Sequence, residues 1–243
     1  MSQDFFIIIP ARYSSSRFPG KPLVDINGRS MLERVWEKCI EAAPRERVIV
    51  ATDDERIETH CKERDINFIN TPSECITGTD RVAEVSKVFP ADFYINVQGD
   101  EPLINPSDIQ LIINNYIQSP GRCLCGMSTI LNQEDFLNLN IPKVITDTSG
   151  RLLYISRAPI PANKKGAFVS AKKQVCIYAF SPEALQEFGV GSTKEWNESI
   201  EDIEILRLIE RGYDIGMIEV SGSSVAVDTP DDLKKVKEYL NGL

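Results

Sequence analysis

The stretch "IIIPARYSSSRFPGKPL", Ile7 to Leu23, decides how the rest of the chain is read. It opens as a continuous β-branched run, the pattern of a strand buried on both faces. The chain then turns polar and carries Arg12, Arg17 and Lys21 through a loop with three serines, two prolines and a glycine. The net charge of the protein is −9. Three cations gathered where a strand leaves the core of an acidic chain point to a specific anion site, although such a loop equally serves as a solvated surface.

Working outward, short apolar runs alternate with helical patterns: "SMLERVWEKCIEAA", "RVIVATDD", "ERIETHCKERD", "GTDRVAEVSKVF", "FYINVQGDEP", "PSDIQLIINNYIQ" and "CLCGMSTI". Strands alternating with helices imply a doubly wound α/β domain over the first 130 or so residues. Beyond it, "KVITDTSGRLLYISRAPIP" reads as a hairpin turning at Thr148-Ser149-Gly150, and "QVCIYAFSPEAL" as a strand leading into a helix. An acidic helix is expected around "ESIEDIEILRLIERG", then two strands, "DIGMIEV" and "SVAVDT", and a closing helix "PDDLKKVKEYL". With no repeat or long linker, residues 1–243 are expected to form a single domain carrying an inserted sub-region at about 143–180.

Composition excludes several classes. The acidic balance argues against nucleic acid as a partner, and no apolar run approaches the ~20 residues needed to cross a bilayer. "MSQDFFIIIP" reads as a first strand rather than a signal peptide, so a cytoplasmic address is expected. Six cysteines without metal spacing read as buried free thiols, and a single histidine, His60, excludes any mechanism needing two.

The opening loop fails the P-loop pattern, since Pro22 stands where a hydroxyl should meet magnesium, and GxGxxG is absent. What remains is an anion nest of serine-rich backbone surrounded by Arg12, Arg17 and Lys21. In "NVQGDEP", Asp100 ends a buried strand beside Gly99, a place suited to Mg²⁺, which takes one or two protein carboxylates; it serves equally as a turn before Pro102. Asp228 in "VAVDTP" offers a second carboxylate, or simply the start of the last helix. "TGTDR" places Asp80 and Arg81 at a helix start, where they bind a sugar acid or cap the helix. Arg157 in "YISRAPIP" suits a carboxylate ligand or a structural ion pair.

Taken together, "IPARYSSSRFPGKPL", "TGTDR", "NVQGDEP", "YISRAPIP" and "VDTPDDL" resemble the cytidylyltransferases that activate 3-deoxy-manno-octulosonate (Kdo), over residues 6 to about 239. The resemblance implies a Rossmann-like nucleotide-diphospho-sugar transferase fold, a mixed and mostly parallel sheet whose hairpin region helps form a homodimer. It implies that CMP passes from CTP to the anomeric hydroxyl of an acidic sugar, releasing pyrophosphate. Arg12, Arg17 and Lys21 would then contact the triphosphate, with Lys21, Arg12 and Asp100 carrying catalysis. Asp100 and Asp228 would hold Mg²⁺, and Gln98 would line the junction of nucleotide and sugar. Thr52-Asp53-Asp54 would lie near the nucleotide pocket, with Arg81 and Arg157 on the sugar-acid side.

Two places depart from the family pattern. Where HxGIYAY is usual, this chain reads "KQVCIYAF", with Gln174 for histidine and Cys176 for glycine. Where LEQLR is usual it reads "IEILR", keeping Glu204 and Arg207 while Ile205 replaces glutamine. Gln174 and Glu204 are therefore expected to face the sugar, and both departures to bear on which acidic sugar is accepted.

Overall fold

The computed structural model describes residues 3–14, 18–222, 224 and 226–242. Arg17 lies outside the described residues. The strands are β1 (Phe5–Pro10), β2 (Asp25–Ile26), β3 (Arg29–Ser30), β4 (Val48–Thr52), β5 (Phe68–Asn70) and β6 (Phe93–Val97). They continue as β7 (Cys123–Ile130), β8 (Lys143–Thr146), β9 (Leu152–Ser156), β10 (Ala171–Phe180) and β11 (Ile215–Glu219). The helices are α1 (Met31–Ala42), α2 (Glu55–Glu63), α3 (Gly78–Val88), α4 (Pro106–Gln118) and α5 (Gln133–Leu137). After them come α6 (Pro182–Leu185), α7 (Trp196–Glu201), α8 (Ile205–Glu210) and α9 (Pro230–Leu240).

The main sheet runs β11-β7-β10-β6-β1-β4-β5. β5, β4, β1 and β6 are mutually parallel, β10 is antiparallel to both β6 and β7, and β11 is parallel to β7. The expected hairpin forms as β8 and β9 and joins the sheet through β10. Asp147 accepts hydrogen bonds from the Ser149 and Arg151 amides at the turn, and Gly150 takes the left-handed backbone (φ 78°) that glycine adopts without strain.

The unbroken apolar runs have a direct consequence on β1. Ile7 and Ile9 pack into one core with α1 and α4, while Ile8 packs into the other, beneath α3, α6 and α8. Successive side chains on a strand point to opposite faces, so a strand covered on both sides must be apolar at every position.

Two expected elements differ. "ESIEDIEILRLIERG" is not one helix: α7 ends at Glu201, capped by Asp202 in left-handed backbone (φ 50°), and α8 begins at Ile205. The break lets Glu204 turn toward α3, where its carboxylate accepts from the Gly78 and Thr79 amides at 3.0 and 2.9 Å and from the Thr79 hydroxyl. Among the described residues "SVAVDT" forms no strand either. The described residues there are coil, tied by the Val227 amide to the Asp100 carbonyl at 2.9 Å.

Beneath α3 lies a fully buried ion network. Arg207 donates to both oxygens of Glu198 at 2.7 Å and to Asp80 at 2.9 Å, with its guanidinium over the Phe188 ring. Asp80 also completes the capping box of α3 with Thr77. Burial alone would raise the Asp80 carboxyl; hydrogen bonds from Thr77, Gly189 and Arg207 hold it below its ordinary value of 3.8. A depressed carboxyl stabilises the fold above its unfolded value and loses that contribution as pH falls through the folded one. The urea midpoint should therefore drop below about pH 4, and Asp80→Asn should flatten that acid limb. Glu198→Ala, which leaves a buried guanidinium half paired, should cost about 3–5 kcal/mol in the same titration.

Candidate active site

At the carboxyl ends of β1 and β6 the sheet opens into a cleft of about 480 Å³, where ligands of open α/β sheets bind. Gly99 allows the two strand ends to close up, since a Cβ there would stand 2.9 Å from the Pro10 carbonyl oxygen. Arg12, Lys21, Gln98, Asp100, Asp228 and Arg157 all line this space.

Three segments far apart in sequence meet at Lys21. Its ammonium donates to Asp100 at 2.7 Å and to Asp228 at 3.3 Å. Burial would lower the Lys21 pKa; the charges and hydrogen bonds of Asp100 and Asp228 outweigh it and hold the amine above its usual value. Asp228 arrives from the coil before α9 rather than from a strand end, held by its own amide donating to the capping carboxylate Asp232 at 3.2 Å. Arg12, further along the wall, makes no hydrogen bond or ion pair among the described residues, so its guanidinium is available to an anion.

The donor set suits magnesium. Two carboxylates converge on one cation, and oxygen ligands in that number are what Mg²⁺ takes from protein, with phosphate and water completing the octahedron. Among the described residues no group of three or more His, Cys, Asp or Glu side chains is placed to hold a metal. An ion on Asp100 and Asp228 would thus share its shell with substrate.

The remaining wall is more committed. Arg81 is buried, with its guanidinium on Asp53 at 2.8 Å, Thr71 Oγ1 at 2.8 Å and the Pro72 carbonyl at 3.3 Å. Its charge is largely spent on the wall it belongs to. Asp54 caps α2 and pairs with Arg56. Arg157 donates to the backbone carbonyls of Leu139, Glu201 and Asp202. Glu204 reaches the cleft, but its oxygens already serve the start of α3; desolvation pushes its carboxyl up against those hydrogen bonds.

Of the two departures from the family pattern, only one reaches the cleft. Gln174 and Cys176 line it, and Gln174 donates to Tyr178 Oη at 3.0 Å. Ile205 does not: its side chain is buried in the core under α3, where an apolar residue is the natural occupant. The expectation that the departure at Ile205 bears on the choice of sugar through the cleft is therefore corrected. Sequence reasoning also missed Lys194, which lines the cleft paired with Asp202, and Lys173 beside Gln174. A lysine in a polar segment carries no local signal of its destination.

A strand-end cleft with an uncommitted arginine, a lysine between two carboxylates and a sugar-sized polar wall defines the class of nucleotidyl-transfer sites. Residues 6–215 match the family described as Cytidylyltransferase. The chain is 39% identical to the 3-deoxy-manno-octulosonate cytidylyltransferase of Protochlamydia amoebophila, with 99% of this chain and 95% of that one covered. It is 41% identical to the protein of the same name from Trichlorobacter lovleyi, with 96% and 97% covered. A solved structure of CMP:2-keto-3-deoxy-manno-octonic acid synthetase complexed with CTP superposes with a TM-score of 0.89 at 36% identity, covering 98% of each chain. The chain belongs to the 3-deoxy-manno-octulosonate cytidylyltransferase family.

Gln174→His tests the one departure that faces the cleft. Steady-state kinetics should show a several-fold change in the KM for the acidic sugar with the KM for CTP unaltered. A variant that moves neither would remove position 174 from sugar recognition.

Proposed function

We propose that this protein transfers CMP from CTP to the anomeric hydroxyl of Kdo and releases pyrophosphate. The observation that carries the reading is the meeting of Lys21, Asp100 and Asp228 at the mouth of the cleft, beside the uncommitted Arg12. That the 36% identical solved structure is complexed with CTP supports CTP as the nucleotide.

In this reading the anomeric hydroxyl gives up its proton to water as its oxygen bonds to the α-phosphorus, while the bond to the bridging oxygen of pyrophosphate breaks. Arg12, Lys21 and Arg17 hold the triphosphate and neutralise the charge that passes to the departing pyrophosphate. Asp100 and Asp228 would hold Mg²⁺, which when bound would supply Lewis-acid stabilisation of phosphate charge. Gln98 sits at the meeting of nucleotide and sugar. Arg81, Arg157, Gln174 and Glu204 shape the sugar-acid side, the first, second and last chiefly by fixing its walls. Holding two reactants in line converts a bimolecular step into an effectively unimolecular one, and no covalent intermediate is needed.

Pyrophosphate release with Mg²⁺ and Kdo should be strong with CTP and at least tenfold weaker with UTP or GTP. Asp100→Asn should abolish turnover while leaving the urea midpoint close to that of the parent. Near-normal activity in that variant would sink the metal assignment.

We also assign the working form as a homodimer in the cytoplasm, feeding lipopolysaccharide synthesis. Among the described residues no helix is long and apolar enough to cross a membrane, and all six cysteines are free thiols. Leu131, Leu137, Leu139 and Val169 stand exposed near the hairpin region, a concentration of apolar surface that a second copy would cover. Sedimentation should give twice the chain mass for the parent, and Leu139→Glu should shift it toward monomer. A parent that sediments as a monomer at micromolar concentration would contradict the assignment.

A further inference from the structure

On β10 the ladder with β7 is interrupted. Gln174 pairs with Met127 and Val175 with Gly126, but the next pair is Tyr178 with Cys125, so Cys176 and Ile177 are extra on the β10 side. This is a bulge, a device that re-aims side chains beside active sites. Gly126 makes it possible, because a Cβ there would stand 2.9 Å from the Val175 carbonyl oxygen.

The bulged segment forms part of the cleft wall. Within it the Gln174 side-chain amide donates to Tyr178 Oη at 3.0 Å. Gln174, Val175, Cys176 and Tyr178 all line the cleft. Alternation is kept through the bulge: Gln174, Cys176 and Tyr178 are spaced to share one face, while Val175, Ile177 and Ala179 pack into the core with α1 and α4.

Ile177 recovers a partner in Val97 of β6. Cys176 does not stay in a ladder, and its backbone groups are taken up by the loop that follows β6. The Gln98 amide donates to the Cys176 carbonyl at 3.4 Å, and the Cys176 amide donates to Glu101 Oε1 at 3.2 Å. Glu101 is buried, 5% exposed, and lies next to Asp100 in the chain. A buried backbone amide without a partner would cost about 1–3 kcal/mol, so the carboxylate holds the bulge in its observed form.

We propose that Glu101 is a positioning residue for sugar recognition, acting through the bulge at Cys176 rather than through the metal or the nucleotide. The four residues Gln98 to Glu101 then face two ways. Asp100 turns to Lys21 and the triphosphate side, while Gln98 and Glu101 clamp the strand that presents Gln174, Cys176 and Tyr178. The inference rests on the proposed transfer to an acidic sugar.

The test compares Glu101→Leu, which keeps the volume and removes the acceptor, with Glu101→Gln, which keeps an oxygen acceptor. In the leucine variant the KM for Kdo should rise at least tenfold while the KM for CTP stays within twofold of the parent; the glutamine variant should stay within twofold on both. Amide hydrogen exchange at Cys176 should quicken at least tenfold in the leucine variant and not in the glutamine one, a readout independent of turnover. Should the leucine variant not fold, Glu101→Asp, one methylene short of the amide, should show the same sugar-only defect at smaller size. Equal rises in both KM values, or unchanged exchange at Cys176, would overturn the proposal. A parent protein that releases no pyrophosphate with Kdo would instead overturn the proposed function, leaving the exchange result to decide the role of Glu101.

Discussion

The contact of Lys21 with Asp100 and Asp228 is the constraint on which the site depends. It joins segments 79 and 207 residues apart, so it exists only when the opening loop, the end of β6 and the approach to α9 are all in place. Each segment is fixed by something other than the ion pair. Gly99 seats the β6 end against Pro10, the Val227 amide ties the coil to the Asp100 carbonyl, and Asp232 holds the Asp228 amide. A lysine kept charged by two carboxylates at a cleft mouth can exchange those partners for phosphate oxygens at little electrostatic cost, because one set of anions replaces another.

The far wall is organised by a second set of charges that never needs to touch substrate. Arg207, Asp80 and Glu198 are withdrawn from water completely, and desolvation offsets much of their mutual attraction. Their effect is geometric. Asp80 caps α3, Glu204 binds its first amides, and the left-handed Asp202 sets where α8 begins, so the helix start that borders the cleft has one position. With α3 already capped by two carboxylates, its N-terminus repels further anions, which leaves the cations of the opening loop as the place for a triphosphate.

Most of the fold was legible because the sheet is covered on both faces, and runs such as "FFIIIP" and "RVIVAT" can be little else. The site cations and carboxylates were legible because each stands just after such a run. What failed had physical reasons. The apolar spacing of "ESIEDIEILRLIERG" is helical throughout, and the break at Asp202 is set by Glu204 reaching α3, a contact 125 residues distant that local periodicity does not record. "SVAVDT" has strand composition, but its described residues pair with no strand, and Val227 is tied instead to the Asp100 carbonyl. Ile205 was expected to bear on the choice of sugar because it replaces a polar residue in a motif, whereas the helix that carries it turns that position into the core. The role of Glu101 was hidden beside Asp100, since a bulge two residues long in a strand 75 residues away leaves no trace in composition.

The most direct test of this arrangement is diffraction from crystals grown with CTP and Mn²⁺ in place of Mg²⁺, using the anomalous signal to locate the metal. The account predicts manganese ligated by Asp100 and Asp228, with the Lys21 ammonium moved onto a phosphate oxygen and Arg12 on the same triphosphate. Manganese bound elsewhere, with Lys21 still paired to both carboxylates, would contradict it.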